Sequence, residues 1–125
     1  MDALLERTRR IIRRVEPRQA WLAMQQGALL IDTRPEGLRR RDGTMVGSIH
    51  VERNVLEWRL DPAGTHRLAG LSGPDHAVIV ACDEGYASTL AAASLQAVGL
   101  HNVTDLDGGF QAWRRAGLPV EGDGR

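Results

Sequence analysis

Lysine is absent from this chain. All sixteen basic residues are arginine, so chemistry that needs a lysine amine as nucleophile or Schiff base is excluded. Cysteine is nearly absent: Cys82 stands alone among 125 residues. One thiol cannot close a disulfide within the chain, form a dithiol pair or build a cysteine metal cluster. No apolar run approaches the length of a membrane span. The acidic start Met1–Glu6, followed by arginine-rich turns, does not read as a signal peptide, and a cytoplasmic protein is expected. An excess of either charge is missing too, because sixteen acidic residues balance the arginines. No global field therefore selects nucleic acid or an anionic membrane, and neither is expected as a partner.

What is present fits one soluble domain with one core: 42% hydrophobic and 26% charged residues in a chain of single-domain size. Residues 2–15 read as an amphipathic helix, with Leu4, Leu5, Thr8, Ile11, Ile12 and Val15 on one face and arginines over most of the rest. Residues 1–16 are accordingly expected to form a helical extension packed on the main domain, residues 17–120, with 121–125 a short tail. Pro17 suits the first turn of a helix running to Gln26. Apolar runs at 28–31, 49–51, 77–81 and 103–106 read as strands. Residues 35–47 are polar, broken by Pro and Gly, and read as loop. Helices are expected at 54–60, from Ser88 as N-cap to Gly99, and at 109–116. Strands alternating with helices predict an α/β fold: a small parallel sheet of about five strands with helices on both faces.

Cys82 ends the most strand-like run, Ala77–Ala81. A short loop with one glycine, Asp83–Ala87, leads from it into a helix. In an open parallel sheet, ligands bind beyond the carboxyl ends of the strands. A tight loop feeding a helix N-terminus can turn successive backbone N–H groups inward as an anion cradle. Such a site stabilises a thiolate and equally a terminal persulfide anion. A buried core cysteine is the competing reading, since free cysteines are often buried. The position between strand and glycine loop favours the chemical one.

These segments resemble a rhodanese domain, the sulfurtransferase fold family. That family places its catalytic cysteine first in a loop often written C-x-x-G-x-R, followed by Ser or Thr. Here the loop is Cys82, Asp83, Glu84, Gly85, Tyr86, Ala87, then Ser88. Asp32-Thr33-Arg34 is similar to the family's D-x-R motif, and Gly43–His50 loosely to its G-H-I-P-G-A-x-H/N segment. Leu106-Asp107-Gly108-Gly109-Phe110-Gln111-Ala112-Trp113 is similar to its L-x-G-G-x-x-A-W signature. The resemblance implies that Cys82 takes a sulfane sulfur from a small donor, becomes a persulfide, and passes the sulfur to a thiol, another nucleophile or a protein acceptor. This two-step covalent transfer implies ping-pong kinetics and needs no metal or organic cofactor. It also implies substrate contacts from Asp83, Glu84, Gly85, Tyr86, Ala87 and Ser88.

The chain departs from that pattern at Ala87, where the family often has arginine. Asp83 and Glu84 add negative charge beside the thiol, which disfavours an anionic sulfur donor such as thiosulfate. A cation from elsewhere is therefore expected, and Arg59, beside Trp58, is the candidate, with Arg53 in the same segment. Asp32 is expected to cap a turn or pair with an arginine, His50 to be structural, and Arg39–Arg41 to be a solvated charge cluster. Two alternatives stand beside sulfur transfer. A non-catalytic module for partner binding or redox sensing fits the acidic loop. A cysteine-dependent phosphatase or arsenate reductase would need an arginine closing the loop, which Ala87 and Ser88 do not supply.

Overall fold

The computed structural model describes residues 1–122. The chain alternates helices and strands in the order α1 (Asp2–Ile11), β1 (Arg14–Val15), α2 (Pro17–Gln25), β2 (Leu29–Asp32), α3 (Glu36–Asp42), β3 (Thr44–Met45) and β4 (Ile49–His50). A 3-10 turn at Arg53–Val55 leads into α4 (Leu56–Arg59), then β5 (Val78–Ala81), α5 (Ala87–Ala97), β6 (Val103–Leu106), α6 (Gly109–Arg115) and β7 (Val120–Glu121). Five strands form one parallel sheet in the order β1-β6-β5-β2-β4. β3 and β7 pair separately as an antiparallel ribbon.

The central strands are buried on both sides, so alternate residues feed two cores. Val78 and Val80 face one, with Ile31, Leu56, Ala91 and Leu95. Ile79 and Ala81 face the other, with Leu30, Met45, Phe110 and Trp113. β5 therefore lies mid-sheet, and its carboxyl end opens between helices of both layers. Among the described residues, no helix is long and apolar enough to cross a membrane.

Four local expectations are corrected. The helix expected over residues 2–15 stops at Ile11; Ile12 is extended, and Arg14–Val15 pair with Asp105–Leu106 as an edge strand. Backbone pairing at the sheet edge overrides the helical periodicity that continued to Val15. The expected loop 35–47 contains α3 and β3. Pro35 sets the entry, and Glu36 pairs with Arg39 at 2.9 Å and with Arg40 at 3.7 Å, so i,i+3 and i,i+4 charges hold a helix that has no apolar stripe. Arg39 also reaches the buried Asp32 at 3.5 Å and so departs from the expected solvated cluster. Ser88 lies inside α5, not at its cap, which is Tyr86. Of the expected tail, Glu121 pairs in the antiparallel ribbon, and residues 123–125 lie outside the described residues.

Asp32 ends β2 at the same sheet edge as Cys82. Its carboxylate accepts from the Arg34 backbone N–H at 3.0 Å and from the Arg34 guanidinium at 2.9–3.3 Å, so it both caps the turn and pairs. Arg34 is 1% exposed, donates to the Gly43 carbonyl at 2.8 Å and stacks on Phe110, 3.9 Å from the ring centroid. Removing one partner of a buried pair leaves the other charge uncompensated. Asp32→Ala is expected to lower stability by about 3–5 kcal/mol, read as an earlier urea midpoint at unchanged m-value.

Candidate functional site

Cys82 is buried, 8% exposed, at the end of β5. Its Sγ accepts two backbone hydrogen bonds, from the Gly85 N–H at 3.1 Å and the Ser88 N–H at 3.3 Å. The loop thus curls around the sulfur, and α5 begins against it. Donors fixed in this way stabilise negative charge on sulfur without any reorganisation when it forms.

The loop holds that shape because its carbonyls are anchored on the outside. The Cys82 carbonyl accepts from the Phe110 N–H at 2.9 Å, and the Asp83 carbonyl from the Gln111 N–H at 3.0 Å. The Gly85 carbonyl accepts from Arg14 Nη2 at 2.6 Å and Arg9 Nη2 at 3.1 Å. In a planar trans peptide the N–H points opposite to the C=O. Each outward anchor therefore turns the next residue's N–H, those of Asp83, Glu84 and Tyr86, to the other side.

The Gly108-Gly109 pair has a steric reason here. A Cβ on Gly109, whose φ is +60°, would lie 2.5 Å from the Cys82 carbonyl oxygen and 2.7 Å from that of Asp83. Only glycine lets α6 come close enough to donate to both. Gly85 is equally constrained: its φ is +91°, and a Cβ would lie 2.8 Å from Gly108 N and 2.9 Å from Arg14 Nη2.

A cavity of about 320 Å³ opens over the thiol. It is lined by Cys82, Asp83, Glu84, Tyr86 and Ala87 from the loop after β5 and by Thr33, Arg34, Pro35 and Arg53 from the segments after β2 and β4. Asp83 is held by the Gln111 side chain at 3.0 Å, while Glu84 and Tyr86 are exposed. Gly85 and Ser88 serve through their N–H groups. The Ser88 hydroxyl turns inward to Asp105 at 3.1 Å.

Arg59 is not brought to the site. Its guanidinium donates to the His66 carbonyl at 2.8 Å, and Trp58 stacks near His66 with ring centroids 6.3 Å apart. Arg53 lines the cavity instead. It pairs with Glu57 at 2.8 Å, and Glu57 also accepts from the Ser94 hydroxyl at 2.8 Å. Partial burial pushes the Glu57 carboxyl up, but the Ser94 hydroxyl, its own backbone and Arg53 outweigh this and hold it below the usual range. The pair's contribution is present above the unfolded carboxyl's titration and is lost as pH falls through the lowered one. His50 accepts the structural role expected of it, with Nε2 2.9 Å from the Arg34 carbonyl oxygen.

Sequence reasoning missed Arg9, Arg14 and Asp105. Asp105 is fully buried and gathers Arg14 at 3.1 Å, the Ser88 hydroxyl and the Thr89 hydroxyl at 2.8 Å. The local excess of arginine before Ala20 was the available signal for the first two.

The fold and the site define a parallel α/β domain with a single buried thiol set in a backbone cradle. The sequence profile of the rhodanese-like domain matches residues 16–116, and the chain belongs to that family. The thiosulfate sulfurtransferase GlpE of Haemophilus influenzae (strain PittEE) is 34% identical over 108 residues, 86% of this chain and 92% of its own. GlpE of Pseudomonas fluorescens (strain SBW25) is 36% identical over 103 residues, 82% of this chain and 84% of its own. Among solved structures, a protein of unknown function from Rhodopseudomonas palustris CGA009, described as a possible tyrosine phosphatase, has a TM-score of 0.84 at 31% identity. That match covers 96% of this chain and 92% of the other.

Gly109→Ala is expected to push the loop off Cys82 and to cost about 1–3 kcal/mol. Thermal melting reads the cost, and the rate of Cys82 alkylation reads the loop; a wild-type alkylation rate would show that the close approach of α6 does not shape the cradle.

Proposed function

We propose that the chain is a rhodanese-type sulfurtransferase that carries sulfur as a Cys82 persulfide. The observation that carries this reading is the position of the single thiol, with two backbone N–H donors on Sγ and a cavity above it. The names of the GlpE relatives support the same reaction class.

In the first half-reaction the Cys82 thiolate attacks the outer sulfur of the donor. A Cys82–sulfur bond forms as the donor's sulfur–sulfur bond breaks, and the leaving group departs with the bonding pair, as sulfite when the donor is thiosulfate. The cradle holds the resulting terminal sulfur anion. In the second, an acceptor thiolate attacks that outer sulfur and Cys82 leaves as thiolate. Oxidation states balance across the cycle, because donor and acceptor exchange one neutral sulfur atom. The acceptor is a separate molecule, a small thiol or a protein thiol.

The charges around the cavity bear on the donor. Asp83 and Glu84 line the cavity beside the thiol; of its two arginines, Arg34 is paired with the buried Asp32 and Arg53 is shared with Glu57. A dianion such as thiosulfate meets like charge at the sulfur. An organic persulfide with one anionic sulfur meets less of it. Phosphate-ester hydrolysis, suggested by the description of the Rhodopseudomonas neighbour, asks for a loop arginine around a tetrahedral oxyanion, and Ala87 holds that position.

Intact mass after incubation with thiosulfate or a persulfidated small thiol is expected to show one added sulfur in the wild type and none in Cys82→Ser. No addition from any donor, or phosphate release from an aryl phosphate, would overturn the reading. Ala87→Arg is expected to raise kcat/KM for thiosulfate by roughly tenfold, and Arg53→Ala to raise KM for thiosulfate, each measured by sulfite release.

A further inference from the structure

The loop arginine of the wider motif is missing, yet a guanidinium still touches this loop, from behind. We infer that Arg14, with Arg9 assisting, is a positioning residue for sulfur transfer: it locks the Gly85 carbonyl outward, turns the Tyr86 N–H of the same peptide inward, and so holds the loop that sets the Gly85 and Ser88 N–H groups on Cys82. Both arginines precede residue 16, where the family profile begins. The inference deepens the sulfurtransferase reading on which it rests.

Three observations carry it. Arg14 is anchored through its whole fork: Nε and Nη2 meet the buried Asp105 carboxylate at 3.1 Å, and Nη1 meets Asp107 at 3.1 Å. Its reach to Gly85 at 2.6 Å thus comes from a guanidinium fixed in place by two carboxylates. Second, the same Asp105 accepts from Ser88 and Thr89, the residues that open α5. The Ser88 N–H is one of the two donors on Sγ, so one carboxylate couples the arginine to both ends of the cradle. Third, Gly85 has no space for a side chain on the Arg14 side, so the arginine packs closely against the loop.

Arg9 adds a second donor from α1, at 3.1 Å from the same carbonyl, and lies beside the Tyr86 ring at 5.9 Å from its centroid. Burial of Leu5 and Thr8 docks that helix on the domain. A lysine at position 14 supplies one point donor where arginine supplies a fork. It gives up the Nε contact with Asp105 and the Nη1 contact with Asp107, which fix the guanidinium in place.

The test uses the full chain with Arg14→Gln, Arg14→Lys and Arg9→Ala. Circular dichroism melts follow the fold, iodoacetamide alkylation at neutral pH follows Cys82 reactivity, and intact mass follows sulfur loading against donor concentration. For Arg14→Gln, alkylation and the maximal loading rate are expected to fall roughly tenfold, less than the 10²–10³ typical of removing an oxyanion donor itself, with half-saturating donor unchanged. Arg14→Lys is expected to recover melting temperature but not reactivity, which a merely structural role would not produce. Arg9→Ala, which leaves Asp105 paired, is expected to slow alkylation about threefold and decides the matter if the Arg14 variants fail to fold. Wild-type rates in folded variants, or full recovery of reactivity by lysine, would overturn the inference. Failure of the wild type to load sulfur from any donor would instead overturn the sulfurtransferase reading, while the alkylation rates still decide the role of Arg14.

Discussion

The site depends on one constraint: the loop after β5 must keep its carbonyls outward so that its N–H groups face a sulfur. Left alone, a short loop of this kind has no reason to prefer that arrangement. Here it is imposed from two sides. The start of α6 takes the Cys82 and Asp83 carbonyls through the Phe110 and Gln111 N–H groups, and Arg9 and Arg14 take the Gly85 carbonyl. These anchors turn the Asp83, Glu84 and Tyr86 N–H groups inward, beside the Gly85 and Ser88 N–H groups on Sγ, and they set the requirement for glycine at 85 and 109.

Beneath the loop, charge is handled by closing pairs on themselves. Asp32 is matched by Arg34, and Asp105 by Arg14 with two hydroxyls. These pairs are expensive to desolvate and costly to break singly. What they provide is geometry: each fixes the end of a strand at the edge where the cavity opens. Arg53 is the more exposed of the two cavity arginines, half committed to Glu57. The thiol therefore relies on backbone dipoles more than on a neighbouring full charge.

Much of this was legible from the sequence because it rests on residues with few substitutes. A lone cysteine between an apolar run and a glycine loop, a Gly-Gly pair before an aromatic helix, and strands spaced by helices gave the α/β fold and the position of the thiol. What escaped depended on distance along the chain. Arg14 meets Asp105 only because an edge strand pairs with β6, and no local pattern links residues that far apart. α3 escaped because charge pairs hold it where an apolar stripe was sought. Arg53 and Arg59 could not be told apart by composition. The short helix between them sends one guanidinium to the cavity and the other to the His66 carbonyl.

The central claim, that backbone N–H groups of the loop hold a sulfur anion on Cys82, is tested most directly by the amide proton resonances of Gly85 and Ser88 before and after sulfur loading. Both are expected to move downfield on loading and to return when an acceptor thiol removes the sulfur, while amides of α3 stay in place. Unmoved Gly85 and Ser88 resonances in a protein that mass spectrometry shows to carry the extra sulfur would contradict the account.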